Sequence, residues 1–577
     1  MLRLFLAASL TALLGACASA PPAEPPAIAP VAQVPKEPPK PPERAIPAES
    51  VYPLLVAEFA LRRRAYGTAL AQYMAQAETL HDRGVSAHTT HIAQYLQREP
   101  EALAAVELWV TLEPDNIEAN NTYAALLARA GRNPEALAPL TKVARAEGKA
   151  NFPLLLNRFR QLSPAQQEQL LAGLQDLSNE FPDSASLLLT RALAYDELEQ
   201  NDSALATLRE LFAREPYQYQ ALLLEAKLLL EAGAETPFTH IEEALEANPE
   251  DNRLRLQYAR LLTRSDIDAA RGQFEILHAA APRDGDLLFS LALINHETGD
   301  DDAAKDYLRQ LLALGQRTEE AHYYLGRIAE QQEQWQVALD AYAALAEPRS
   351  DDFYNAKGRM GRILLDSGRD DEASTLFAQL RGQHPDASER LYALQAELLV
   401  VTHRPEQGMA VLNEALAVLP ESNSLRYSRS LLGEKQGDLA LMESDLRVII
   451  DRDPDNATAL NALGYSLANR TRRYSEARGL IERALALAPD EPAILDSMGW
   501  VLYRQGHNGE ALDYLERAYR AFPDPEVAAH LGEVLWVEGQ RERARTVWAE
   551  ALAKEPRHEI LLTTIERFDV GMLQVSP

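Results

Sequence analysis

The sequence predicts an all-α protein, a solenoid of stacked helix pairs. Three observations predict it. One phrase recurs: N-A-L-G-Y-S-L-A-N at 461–469, D-S-M-G-W-V-L-Y-R-Q-G at 496–506 and H-L-G-E-V-L-W-V-E-G at 530–539 each hold an apolar residue followed by Gly, as Leu463-Gly464, Met498-Gly499 and Leu531-Gly532. Small residues then follow on schedule. Ala477, Ala511 and Ala544 come 13, 12 and 12 residues after the glycines, Ala484, Ala518 and Ala551 seven later, and Pro489, Pro523 and Pro556 five after those. The schedule also extends upstream, because turn markers from Pro114 to Pro556 recur thirteen times with a mean step of 34 residues.

The offsets have a physical cause. Gly at the eighth position and Ala at the twentieth lie where the two helices of a unit cross, and small side chains let the backbones approach. Ala at the twenty-seventh packs under the next unit. Pro closes the second helix because it lacks an N–H, and the Asp or Asn after it, as in Pro454-Asp455-Asn456, caps the next helix. A period of 34 with this pattern resembles the tetratricopeptide repeat. The resemblance implies about 13 repeats wound as a right-handed superhelix. Leu460, Leu495 and Ala528 stand where that family usually has Trp, and Leu467, Leu502 and Leu535 where it usually has Tyr, so apolar slots stay filled.

Taken in order, residues 1–16 read as a signal peptide: one basic residue, Arg3, then an apolar run from Leu4 to Leu14 too short to span a membrane. Leu14-Gly15-Ala16-Cys17 resembles a bacterial lipobox. That implies cleavage between Ala16 and Cys17 and acylation of Cys17, with several acyl chains giving stable anchoring. Ala18 rather than Asp after the cysteine resembles the outer-membrane sorting pattern. The expected location is therefore the outer membrane, lipid-anchored, with the repeats in the periplasm. Residues 17–50 form a Pro-rich tether, with 11 prolines between 18 and 50. In extended polyproline form it reaches roughly 100 Å.

Residues 51–113 read as N-terminal helices with degenerate repeat marks, such as Tyr66-Gly67 and Ala69, and residues 114–556 as the repeat array. Gly361, Ala373, Phe377 and Pro385 mark one of its best units. The stretch 151–182 is the weakest; Pro153 and Pro164 interrupt it, and it reads as a helical pair that bends the solenoid. Thr236-Pro237 breaks another unit. Residues 557–577 read as a capping helix and a loose tail.

The charge, −29 from 57 Lys+Arg and 86 Asp+Glu, argues against a nucleic-acid partner, which needs a basic footprint. The single cysteine excludes an internal disulfide. No nucleophile elbow, zinc-protease helix, P-loop or C-x-x-C occurs, so no catalytic residue, metal site or cofactor is expected and the chain reads as a non-enzyme. His81, His88 and His91 lack a further ligand at metal spacing and read as exposed residues.

What remains is a surface. In the tetratricopeptide family the first helix of each unit lines a concave groove, through positions 2, 5, 9, 12 and 13. The three best units then offer Asn461, Tyr465 and Asn469; Asp496, Trp500, Tyr503 and Arg504; and Glu533 and Trp536 as partner-binding candidates. Tyr, Trp and Arg dominate interface energetics, although Trp500 and Trp536 can equally pack between units.

The phrases D-S-M-G-W-V-L-Y-R and A-H-L-G-E-V-L-W, together with the lipobox and tether, resemble the large tetratricopeptide outer-membrane lipoproteins that bind a periplasmic carboxy-terminal processing protease. The resemblance implies an adaptor that recruits and activates the serine protease and brings it cell-wall hydrolases, and so controls peptidoglycan remodelling. The alternative from the same residues is an assembly factor for an envelope machine such as a pilus, secretin or outer-membrane-protein complex.

Overall fold

A computed structural model describes residues 45–147 and 150–568. The lipobox and Cys17, most of the tether, the turn marker Gly148 and the tail lie outside the described residues. Those described form 30 α-helices and no strand. They divide into two units, the first ending at Ala232 and the second starting at Gly233.

In the first unit α1 (Ala48–Arg62), α2 (Tyr66–Leu80), α3 (Arg83–Tyr95), α4 (Glu99–Leu112), α5 (Ile117–Arg129) and α6 (Asn133–Glu147) are followed by two 3-10 turns, α7 (Pro164–Glu180), α8 (Ala185–Glu197), α9 (Asn201–Phe212) and α10 (Tyr219–Glu231). The stretch 151–182 differs from the expected helical pair. Its first half is Phe152–Leu156 and Phe159–Gln161, both 3-10. The prolines explain this: Pro153 fits only the first turn of a helix, and Pro164 starts α7, which Ser163 and Gln166 close with reciprocal capping bonds. Phe152, Leu155 and Phe159 still fill the core, and the Asn133 side-chain amide donates to the Leu155 and Asn157 carbonyls, which no α-helix satisfies.

The second unit holds α11 (Thr239–Ala247), α12 (Asn252–Leu262), α13 (Ile267–Ala280), α14 (Gly285–Glu297), α15 (Asp301–Leu314), α16 (Thr318–Gln331), α17 (Trp335–Ala343), α18 (Asp351–Asp366), α19 (Asp370–Gln383), α20 (Ser388–Val401) and α21 (Pro405–Val418). It continues with α22 (Asn423–Lys435), α23 (Leu439–Arg452), α24 (Ala457–Arg470), α25 (Tyr474–Leu487), α26 (Pro492–Arg504), α27 (Asn508–Ala521), α28 (Pro525–Val537), α29 (Arg541–Lys554) and α30 (Glu559–Arg567). From α12 to α29 the even members are first helices and the odd members second helices of units of about 34 residues. α11 spans nine residues because Pro237 delays its start.

The crossing points match the offsets. A Cβ on Gly464 would lie 3.0 Å from the Ala477 carbonyl oxygen, and one on Gly499 would lie 3.0 Å from that of Ala511. In α20 and α21 the two small residues exchange places, Ala396 and Gly408, and a Cβ on Gly408 would meet the Ala396 carbonyl oxygen at 3.1 Å. The caps also follow the sequence: Asn116 and Asn456 accept the amides of Ala119 and Ala459, each at 2.9 Å. Apolar stripes from successive helices merge into continuous cores, the largest running from Met442 to Leu561. Among the described residues no helix is long and apolar enough to cross a membrane.

Candidate functional site

The groove residues lie on α24, α26 and α28. In α24 the apolar face Leu460, Leu463 and Leu467 is buried, which turns Asn461, Tyr465 and Asn469 toward the other side, where all three are half-buried. α26 and α28 are more deeply enclosed. Asp496, Trp500 and Glu533 are buried, with Trp500 and Glu533 both 5% exposed. Tyr503, Arg504 and Trp536 are half-buried.

Most of these residues join one another through contacts within the chain. Tyr465 Oη donates to Glu526 Oε1 at 2.6 Å, so α24 reaches past α26 to α28. His530 on α28 holds Asp496 on α26 through Nδ1, 2.9 and 3.0 Å from the two carboxylate oxygens. The Trp500 ring stacks on His530 with centroids 4.1 Å apart. Tyr503 donates to Glu533 at 3.1 Å, and Arg567 of α30 pairs with Glu533 as well. Arg504 donates to the Asn469 carbonyl and, at 2.9 Å, to Tyr474. Two candidates stand apart. Asn461 Oδ1 is buried with no hydrogen-bond partner. Trp536 packs on Trp548 and Phe568, with Arg541 and Arg545 over its ring.

Sequence reasoning missed Glu526 and His530. Glu526 occupies position 2 of its unit, the register that marks a groove residue, so the signal was present. His530 sits one place from position 5, and no periodic rule points to it.

The electrostatics follow from the burial. Enclosure pushes the His530 pKa down, but the Asp496 carboxylate, with Glu526 and Glu533 behind it, more than offsets this and leaves it above the ordinary value. Burial, with the charge and hydrogen bond of Glu526, pushes the Tyr465 phenol up. Asp496, His530 and Tyr465 thus have the connectivity of an acid–imidazole–hydroxyl relay, with His530 Nε2 3.4 Å from the phenol. The phenol proton is nevertheless spent on Glu526, and its raised pKa is the opposite of what nucleophile activation requires. The arrangement holds helices together. His88 and His91 are exposed and rest against Tyr73 and Trp109, and among the described residues no cluster of His, Cys, Asp or Glu is set to hold a metal.

Models of the tetratricopeptide repeat match residues 260–315, 299–353, 329–398, 455–524 and 497–559. Tetratricopeptide repeat protein 7A of Homo sapiens is 27% identical over 174 residues, 30% of this chain and 16% of its own length. The solved APC/C hetero-tetramer Cut9-Hcn1 aligns with 90% of this chain and 96% of its own at 15% identity, with a TM-score of 0.31, too low to carry an argument. The TPR repeat-containing protein PA4667 of Pseudomonas aeruginosa is 40% identical over 529 residues, 91% of this chain and 89% of its own. Periodic helix pairs, glycine–alanine crossings and a relative matched along nearly its whole length lead to one conclusion: the chain belongs to the tetratricopeptide-repeat proteins, in one family with that bacterial relative.

Proposed function

We propose that this protein is a membrane-anchored adaptor that binds and activates a periplasmic carboxy-terminal processing protease and presents cell-wall hydrolases to it. The coarser part rests on the repeats themselves, since tetratricopeptide repeats make the chain a scaffold for protein–protein interaction. The finer part is carried by one observation: a lipobox-ending leader at 14–17 stands in the same chain as the phrases at 496–504 and 529–536. In this reading Cys17 carries the lipid, the anchor lies in the outer membrane, and the repeats work in the periplasm. Holding protease and substrate on one surface raises their effective concentration without new catalytic chemistry.

The test is capture with the chain kept soluble. Cys17→Ser is expressed behind a cleavable periplasmic signal, crosslinked gently and purified. A serine protease of the carboxy-terminal processing class, together with cell-wall hydrolases, is the expected outcome. Pilus, secretin or outer-membrane assembly components in their place would overturn the reading in favour of an assembly factor.

A further inference from the structure

Position 9 of each unit, the residue after the crossing glycine, is occupied in three late units by Tyr465, Trp500 and Glu533, and the chain covers these with its own contacts. Two earlier units differ. There the sequence reads Gly326-Arg327 and Gly361-Arg362, and the two arginines line one cleft of about 560 Å³ between α16 and α18. Glu330, Trp335, Arg359, Ile363 and Asp366 are among the other residues that line it. Such a volume lies within the range of ligand sites.

The charges in this cleft are unevenly satisfied. Glu330 is saturated: it accepts from Tyr342 Oη at 2.6 Å and from Arg359 at 3.0 Å on both oxygens. Arg359 is thereby engaged too. Arg362 has only a long contact, 3.5 Å, to Asp366, with both side chains about 60% exposed. Arg327 forms no ion pair with any described residue. Trp335 is 45% exposed on the same wall, a large apolar surface that the chain leaves uncovered. Two guanidiniums with spare donors therefore flank an exposed indole, in a chain whose net charge of −29 repels anions elsewhere.

We infer that this cleft is a docking site for an acidic segment of a partner protein, with carboxylates on Arg327 and Arg362 and a neighbouring apolar side chain on Trp335. The guanidinium fork matches a carboxylate in paired hydrogen bonds. A nucleic acid is the poorer fit, because two arginines do not offset the repulsion of many phosphates by so acidic a chain. The inference rests on the scaffold reading and names the chemistry of one client.

The experiment titrates the full Cys17→Ser chain with a nine-residue peptide alternating Glu and Leu, and with its Lys–Leu counterpart, at physiological salt, where repulsion is screened beyond about 8 Å. Calorimetry reports binding and tryptophan fluorescence reports position. The Glu–Leu peptide is expected to bind saturably and the Lys–Leu peptide not to. R327E/R362E should weaken binding by about tenfold or more, with a thermal midpoint lowered only slightly, because Arg327 pairs with no described residue and Arg362 gives up one exposed contact to Asp366. Trp335→Phe should keep most of the binding and lose the fluorescence change. Absence of saturable binding by the Glu–Leu peptide, or equal affinity in R327E/R362E, would overturn the inference. Loss of all protein partners from the unsubstituted chain would strike the scaffold reading instead, so the two failures are distinguishable.

Discussion

A methyl group on Gly499 would meet Leu515 Cγ at 2.5 Å and the Ala511 carbonyl oxygen at 3.0 Å, whereas one on Gly479, in the second helix of the preceding unit, would meet nothing within 4 Å. The two glycines look alike in composition and predict opposite outcomes. Gly479→Ala removes only the conformational cost of glycine in a helix and should stabilise by about 0.5–1 kcal/mol. Gly499→Ala gains the same helix preference, yet it forces two helices apart at their crossing, an overpacking cost of about 1–3 kcal/mol. The thermal midpoint should therefore rise for the first and fall for the second. A rise for both would mean that the crossing is not the reason for the glycine. The period made Gly499 legible in the sequence, because only the backbone approach requires a small residue at that offset. Leu515 as the side chain that fills the space was not legible, since any apolar residue on that face of α27 suits the pattern.

Between elements, the cluster at Tyr465, Asp496, Trp500, Glu526 and His530 ties three first helices together, including two that are not neighbours in the chain. Charge decides its pH behaviour. His530 faces Asp496 from α26, Glu526 and Glu533 from its own helix, and the Tyr465 phenol from α24. Its folded pKa is raised above the unfolded value of about 6.5. The stabilisation it gives is therefore fully present below that value and is lost as pH rises through the folded pKa. The unfolding midpoint of the wild type should fall on going to alkaline pH more steeply than that of His530→Gln, and Asp496→Asn should flatten the profile likewise; parallel profiles would remove His530 from the account. The sequence marked the groove register of this cluster but not its closure. Reading positions 5, 9 and 12 places Asp496, Trp500 and Tyr503 on one side of a helix, while the approach of α24 to α28 depends on how tightly successive pairs turn. The same limit explains 151–182: the prolines announced a departure, but the exchange of a helix for two 3-10 turns depends on Asn133 reaching the carbonyls they free.

At the scale of the whole molecule, the solenoid fold was the most legible feature, because turn markers recurring at a mean step of 34 residues leave few other folds. Partner identity was the least legible, because repeats specify a surface and not what lies on it. In the proposed role the chain speeds proteolysis by holding protease and substrate together. The most direct measurement is the initial rate at which a carboxy-terminal processing protease cleaves a cell-wall hydrolase, as the soluble full-length chain is added over a wide concentration range. A two-client scaffold predicts that the rate rises, peaks near the client concentrations and falls again when excess scaffold separates protease from substrate. A rate independent of the chain at every concentration would contradict the claim.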